Sequence, residues 1–211
     1  MAQKLLTVFL ILEVIMSILK TNRLLLRPLN LDDAEIMFKN WTFDERVAKY
    51  CRWYAHKSID ETIQLLKMYL EQAERGFDYR WGIILQETNE LIGCIDVVDL
   101  SDNNKTATVG YVLSHKYWNN GISTEALSVV INKLFDDDVE LIKAEHHIDN
   151  IASGRVMEKC GMKFTHNDKV QSKFGSSETC DVKWYEIRKY MCCIVKAEWN
   201  PTPLLCKYIC F

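Results

Sequence analysis

Tyr117-Trp118-Asn119-Asn120-Gly121-Ile122-Ser123-Thr124-Glu125-Ala126 is the stretch whose reading decides the fold. It follows a strand-like run, Thr106 to Leu113, and opens a segment whose apolar residues Ile122, Ala126, Val129, Val130 and Leu134 predict a helix from Ser123 to Phe135. A strand, a tight polar turn and a helix start suit an anion. The first turn of a helix leaves backbone N–H groups without internal partners, and the macrodipole adds partial positive charge there, so phosphate oxygens bind without a cationic side chain. Gly121 lets the backbone come close. On this stretch alone, an ordinary loop capped by Ser123 fits as well.

A second segment separates the two readings. Asn150-Ile151-Ala152-Ser153-Gly154-Arg155-Val156-Met157-Glu158-Lys159-Cys160-Gly161 follows another strand-like run, Leu141 to His147. In this order and spacing the two segments resemble the GCN5-related N-acetyltransferase (GNAT) superfamily, and within it the branch that acetylates the N-termini of ribosomal proteins. The pattern Asn-x-x-Ser-x-Arg-Val-x-Glu-Lys-x-Gly is matched throughout. Of Trp-Gly-x-Gly-x-x-Thr-Glu-Ala, Trp118, Gly121, Thr124, Glu125 and Ala126 match, and Asn119 replaces the first glycine. Asparagine tolerates left-handed backbone better than most residues, so the loop survives the change. The resemblance covers Thr21 to Trp199; the two motifs together are specific, either alone weak.

The resemblance implies an α/β layered fold: a mixed, mostly antiparallel sheet of six or seven strands, splayed at the acetyl-CoA site, with helices on both faces. It implies acetyl transfer from acetyl-CoA, as cosubstrate, to a primary amine, in this branch the N-terminal α-amine of a protein. The loop residues Trp118, Asn119, Asn120, Gly121, Ile122, Ser123 and Thr124 would hold the pyrophosphate, with Lys159 of the second motif among the binding residues. Asn150 would position the pantetheine arm, and backbone donors around Val112 and Leu113 would stabilise the oxyanion. Many relatives carry a tyrosine acid where this chain has Met157, which cannot donate a proton. The ribosomal-type branch has serine at Ser153, making it the candidate donor to the leaving thiolate. Asn150 and Ser153 read equally as helix caps. Glu145 and Asp96, on strands leading towards the cleft, are candidate bases, or simply solvent-facing carboxylates. An α-amine titrates near 7.7 to 8.0, against about 10.4 for lysine, so a weak base or a water relay suffices for an N-terminus.

The 211 residues, 48% hydrophobic and 26% charged, suit one globular domain. A net charge of -3 argues against nucleic acid as a direct partner. Eight scattered cysteines with no Cys-x-x-Cys pair read as reduced, cytoplasmic thiols. No metal site is expected: His146 and His147 face opposite sides of a strand, and Asp136-Asp137-Asp138 splay rather than converge. Residues 1–15 form an apolar extension, too short and too interrupted by Glu13 to span a membrane, ahead of a domain at 16–199 and a tail at 200–211. The working state is expected to be a monomer or homodimer.

Along the chain, Arg23 to Pro28 reads as the first strand and Ala34 to Trp41 as a helix begun by Leu31-Asp32-Asp33. Ser58 and Glu61 have capping-box spacing ahead of an amphipathic helix ending near Gly76. Trp41, Tyr50, Trp53 and Tyr54 either touch substrate or pack at the helix junction. Arg80 to Gln86 and Leu91 to Leu100 form a hairpin, and Lys183 to Val195 supplies one or two closing strands. The loops at Tyr50 to Lys57 and Gln171 to Cys180 would choose the acceptor. In the resembling family a tyrosine precedes the terminal tryptophan by seven residues; counting from Trp199, this chain has Cys192. The departures at Asn119, Met157 and Cys192 leave open a small-molecule amine as acceptor, or a CoA-binding module without turnover.

Overall fold

Leucines at positions 24 and 26 set the first full strand, because alternation sends both to one face of a pleated sheet, where they are wholly buried. The computed structural model describes residues 18–76 and 79–189. The extension at 1–15, the tail at 200–211, and Cys192 and Trp199 lie outside the described residues. The strands are β1 (Leu19–Lys20), β2 (Leu24–Arg27), β3 (Arg80–Leu85), β4 (Glu90–Ser101), β5 (Thr106–Leu113), β6 (Leu141–His147), β7 (Lys163–Gln171) and β8 (Thr179–Arg188). The helices are α1 (Ala34–Met37), α2 (Glu45–Ala48), α3 (Ile59–Glu74), α4 (Ile122–Asp136) and α5 (Ile151–Lys159).

Among the described residues the strands form one sheet in the order β1-β2-β3-β4-β5-β6-β8-β7. Every neighbouring pair is antiparallel except β5 with β6, which is parallel. That parallel pairing covers only Thr106↔Leu141, Ala107↔Ile142 and Thr108↔Lys143. Beyond it the strands part, so Val109 to Leu113 and Ala144 to His147 line the two sides of a wedge. The eight strands exceed the expected six or seven; the two-residue β1 paired to β2 and the edge strand β7 make the difference.

Helices cover both faces. On one, Ile122, Ala126, Leu127 and Val130 of α4 and Met157 of α5 pack on Ile95, Val97, Val109, Leu113, Ile142 and Ala144. On the other, Ala34, Met37 and Leu66 of α1 and α3 pack on Ile84, Leu91 and Cys94. Arg27, half-buried, makes a bidentate pair with Asp33 at 2.8 and 2.6 Å, fastening β2 to the turn ahead of α1.

Three local expectations change. The helix expected over Ala34 to Trp41 is a short α turn continued by a π turn, Phe38–Thr42, which brings Asn40, Trp41 and Thr42 all inside. Trp41 is thus a core residue, 2% exposed, and has no face for substrate. Ser58 does stand at the start of α3, but its side chain makes no capping bond, and Glu61 accepts instead from the Lys57 backbone N–H at 3.1 Å. Of the closing strands expected over Lys183 to Val195, residues 190–195 lie outside the described residues, and the described hairpin begins earlier, with β7, which has no buried face and so no alternation to read.

Candidate active site

The turn ahead of α4 is built by two left-handed residues. Asn119 has φ +63° and Gly121 φ +72°, and Gly121 is the N-cap of α4, with no side chain closing the helix start. Ser123 lies inside the helix and does not cap it. The Glu125 N–H bonds to Gly121 O at 3.0 Å, which leaves the earlier N–H groups of Ile122, Ser123 and Thr124 at the open end. Ile122 contributes only backbone there, since its side chain is core. Asn120 Nδ2 donates to Trp118 O at 3.1 Å, and Trp118 Nε1 donates to Leu113 O at 2.9 Å, tying the turn to the end of β5.

Glu125 holds this turn to the first strand. It accepts from Thr21 Oγ1 at 2.5 Å, from Arg23 N at 3.1 Å and from the Arg23 guanidinium at 2.7 Å, while Arg23 Nη1 donates to Asn120 O at 2.9 Å. Burial pushes the Glu125 carboxyl up, but the bonds from Thr21 and Arg23 more than offset it and leave it below its ordinary value. Arg23 had no motif of its own; only its position in the first strand marked it.

At the wedge, strand alternation sorts the backbone. Ser114 N donates to Ile92 O at 2.8 Å, so Leu113, one residue back, turns its N–H away from β4 and towards β6. Val112 turns towards β4, and a Cβ on Gly93 would sit 2.4 Å from Val112 O. Of the two expected backbone donors, Leu113 therefore faces the wedge and Val112 does not.

Across the wedge, Asn150 caps α5, its side chain accepting from Ser153 N at 3.4 Å. Ser153 caps nothing. Its hydroxyl lies 2.8 Å from the Tyr111 phenol, which also reaches Ser153 O at 3.0 Å. Lys159 is exposed on the last turn of α5, about 12 Å along the axis from its first residue. His146 is buried beneath α5, where a Cβ on Gly154 would come within 2.7 Å of its Nε2; His147 faces the other way and lies 5.2 Å from the Tyr50 ring.

The opposite face of the wedge carries the carboxylates. Asp96 Oδ2 accepts from Arg80 Nε at 3.0 Å, and Arg80 lies 3.5 Å from the Tyr69 ring centroid. Burial raises the Asp96 carboxyl and Arg80 lowers it again, with a net rise. Glu145 Oε1 accepts from Arg52 Nη1 at 3.3 Å, while Glu145 Oε2 is buried without a partner. Burial raises the Glu145 carboxyl too, against the pull of Arg52. Arg52 lies 5.3 Å from the Phe174 ring centroid, and Lys173 Nζ donates to Ala48 O, Cys51 O and Trp53 O at 2.7, 2.7 and 3.1 Å. These bonds clasp the loop after β7 onto the segment after α2. Tyr54 is exposed, and Trp53 packs against the second core. Sequence reasoning missed Arg52 and Tyr111; the nearby aromatics were the only signal for the first, and no pattern pointed to the second.

No group of three or more His, Cys, Asp or Glu suited to a metal occurs among the described residues. Nor, among them, is any helix long and apolar enough to cross a membrane. An open helix start with left-handed Gly121, beside a wedge with unpaired strand edges, fits a pyrophosphate followed by an extended arm.

The comparisons agree with that geometry. Residues 23–163 match the family model described as an acetyltransferase (GNAT) domain. The chain is 35% identical over 147 residues to the uncharacterized N-acetyltransferase YoaA of Bacillus subtilis (strain 168), covering 68% of this chain and 81% of that protein. Among solved structures, a GNAT-family acetyltransferase from Bacillus anthracis superposes with a TM-score of 0.72 at 25% identity, covering 82% of this chain and 98% of that one. RimL, a ribosomal L7/L12 α-N-protein acetyltransferase in complex with coenzyme A, superposes with a TM-score of 0.71 at 20% identity, covering 81% and 97%, a likeness of fold. Motifs, splayed sheet and family match converge: the chain belongs to the GNAT acetyltransferase family and is an acetyl-CoA-dependent N-acetyltransferase.

Proposed function

We propose that the acceptor is an N-terminal α-amine of a protein or peptide, with ribosomal proteins the motivating class, and that the enzyme works in the cytoplasm, where acetyl-CoA is made available to it. The observation that carries this reading is Glu145: a carboxylate on the face opposite α4 and α5, with one oxygen free and its affinity for a proton raised by burial. Any carboxylate is a weak base, and raising its proton affinity brings it nearer to an α-amine at 7.7 to 8.0 than to a lysine near 10.4, so the α-amine is the less demanding acceptor. The fold shared with the RimL complex supports the same acceptor class. Asp96, paired with Arg80 much as Glu145 is with Arg52, is the weaker candidate because it lies on the fully paired stretch of β4, whereas Glu145 lies on β6 where it has parted from β5.

In this reading the open N–H groups at Ile122, Ser123 and Thr124 bind the pyrophosphate, and Asn150 and the strand edges hold the pantetheine arm. The amine enters from the opposite face, loses a proton to Glu145 or to water beside it, and attacks the thioester carbonyl carbon. The Leu113 N–H stabilises the oxyanion, the C–S bond breaks with its electron pair on sulfur, and Ser153 supplies a proton to the thiolate. Ser153→Ala tests the last step. It should lower kcat by about 10² or more with acetyl-CoA affinity little changed, whereas Asn150→Ala should weaken acetyl-CoA binding. A Ser153→Ala enzyme with unchanged kcat on a saturating peptide removes Ser153 and leaves water as the donor.

A further inference from the structure

Tyr111 lies on β5, two residues before Leu113, on the face packed against α4 and α5. Its phenol oxygen reaches both Ser153 Oγ, at 2.8 Å, and Ser153 O, at 3.0 Å. The bonds cross the wedge, joining the strand on one side to the helix that follows the strand on the other. We propose that Tyr111 is a positioning residue for acetyl transfer, fixing the Ser153 hydroxyl and deciding whether it donates or accepts. This rests on the reading of Ser153 as the carrier of the thiol proton.

The argument is one of proton counting. A phenol has one proton, and Tyr111 has two acceptors within reach. With that proton on Ser153 O, the serine hydroxyl is left to donate back to the phenol oxygen and has nothing to give elsewhere. With it on Ser153 Oγ, the serine O–H is released and directed away from Tyr111. Rotation about two C–O bonds interconverts these states, and no covalent bond breaks. Burial pushes the phenol well above the ordinary tyrosine range, although its bond to Ser153 pulls it back, so Tyr111 keeps its proton and serves as a fixed donor.

During transfer, the nitrogen sheds a proton as the amide forms, and the sulfur leaves with the electron pair of the C–S bond. Ser153 gives its proton to sulfur and takes one at Oγ from the nitrogen, directly or through a water. The serine ends as it began. Tyr111, donating to Oγ throughout, opposes any build-up of negative charge there and leaves one lone pair of Oγ for the incoming proton.

A double-mutant cycle on the full chain tests this, with kcat from thiol release at saturating acetyl-CoA and a free-N-terminal peptide, and acetyl-CoA binding by calorimetry. Tyr111→Phe keeps the ring and removes the hydroxyl. It should lower kcat about ten- to a hundredfold with acetyl-CoA affinity within about twofold, and should cost nothing further when added to Ser153→Ala. If Ser153→Ala loses turnover but Tyr111→Phe does not, the positioning role is wrong and the Ser153 reading stands. If the losses multiply in the double variant, Tyr111 acts independently of Ser153 and the proposal falls. Full activity in Ser153→Ala removes the proton-carrier reading and this inference with it. A Tyr111→Phe protein that no longer binds acetyl-CoA also overturns it, since a positioning role leaves the binding site intact.

Discussion

Replacing Gly121 with valine separates backbone conformation from side-chain crowding at the turn ahead of α4. A Cβ built there meets nothing nearer than Arg23 Nη2 at 3.7 Å, so there is room for it. The obstacle is φ +72°, a left-handed value that costs an L-residue about 1–2 kcal/mol and a β-branched one more. Holding that value would cost about 2 kcal/mol, a melting temperature lower by about 4–8 °C for a domain of this size, and with β-branched valine the turn rotates to relieve that strain. Rotation re-aims the N–H groups of Ile122, Ser123 and Thr124, and 1.4 kcal/mol of lost interaction is about a tenfold loss of affinity. Calorimetric titration with acetyl-CoA should show at least that loss for Gly121→Val. Gly121→Asn should lose less, because asparagine already holds the left-handed position at Asn119. A valine variant that melts lower yet binds acetyl-CoA like the parent would refute the link between this turn and the ligand.

Other outcomes follow from the same geometry. Because burial raises the Glu145 carboxyl, its basic form is lost at a higher pH than for an ordinary glutamate as pH falls; Glu145→Gln should cost about 10² in kcat/KM and remove that acid limb from the rate profile. The Glu125 carboxyl is held below its ordinary value, so its stabilisation is present above the unfolded value and lost as pH falls through the folded one. Glu125→Gln should cost about 1–2 kcal/mol at pH 7, discounted for the half-exposed Arg23, with the difference in urea midpoints closing in acid. Deleting residues 1–15 should leave melting temperature and acetyl-CoA affinity unchanged, since the first described strand begins at Leu19; loss of folding contradicts that boundary.

Most of the fold was legible because its decisive elements are locally encoded. Thr106–Leu113 and Leu141–His147 carry the alternation of half-buried strands, and Gly121 and Gly161 occupy the left-handed positions their places in the motifs required. What was not legible depends on distant partners. The π turn at Phe38–Thr42 buries Asn40, whose Nδ2 bonds Glu90 and Leu91 O fifty residues on, and no local pattern announces that. Edge strand β7 is exposed along nearly its whole length and reads as a polar loop. In the site, the loop and the second motif could be named from sequence, but the partner of Ser153 could not. Tyr111 lies 42 positions away, brought near only because β5 and β6 stay paired for three residues and then separate. Likewise Glu145 and Asp96 looked alike as strand carboxylates; each proves paired with an arginine, and only the parting of β6 from β5 ahead of Glu145 sets them apart.

The central claim, acetyl transfer to an α-amine, is tested most directly by thiol release from acetyl-CoA with two peptides of one sequence containing a single lysine. One has a free N-terminus and a blocked lysine side chain; the other has a blocked N-terminus and a free lysine. The account predicts turnover with the first, acetylated at its α-nitrogen by mass spectrometry, and little with the second. Release only with the lysine peptide, or with neither peptide while a small amine is acetylated, would contradict it.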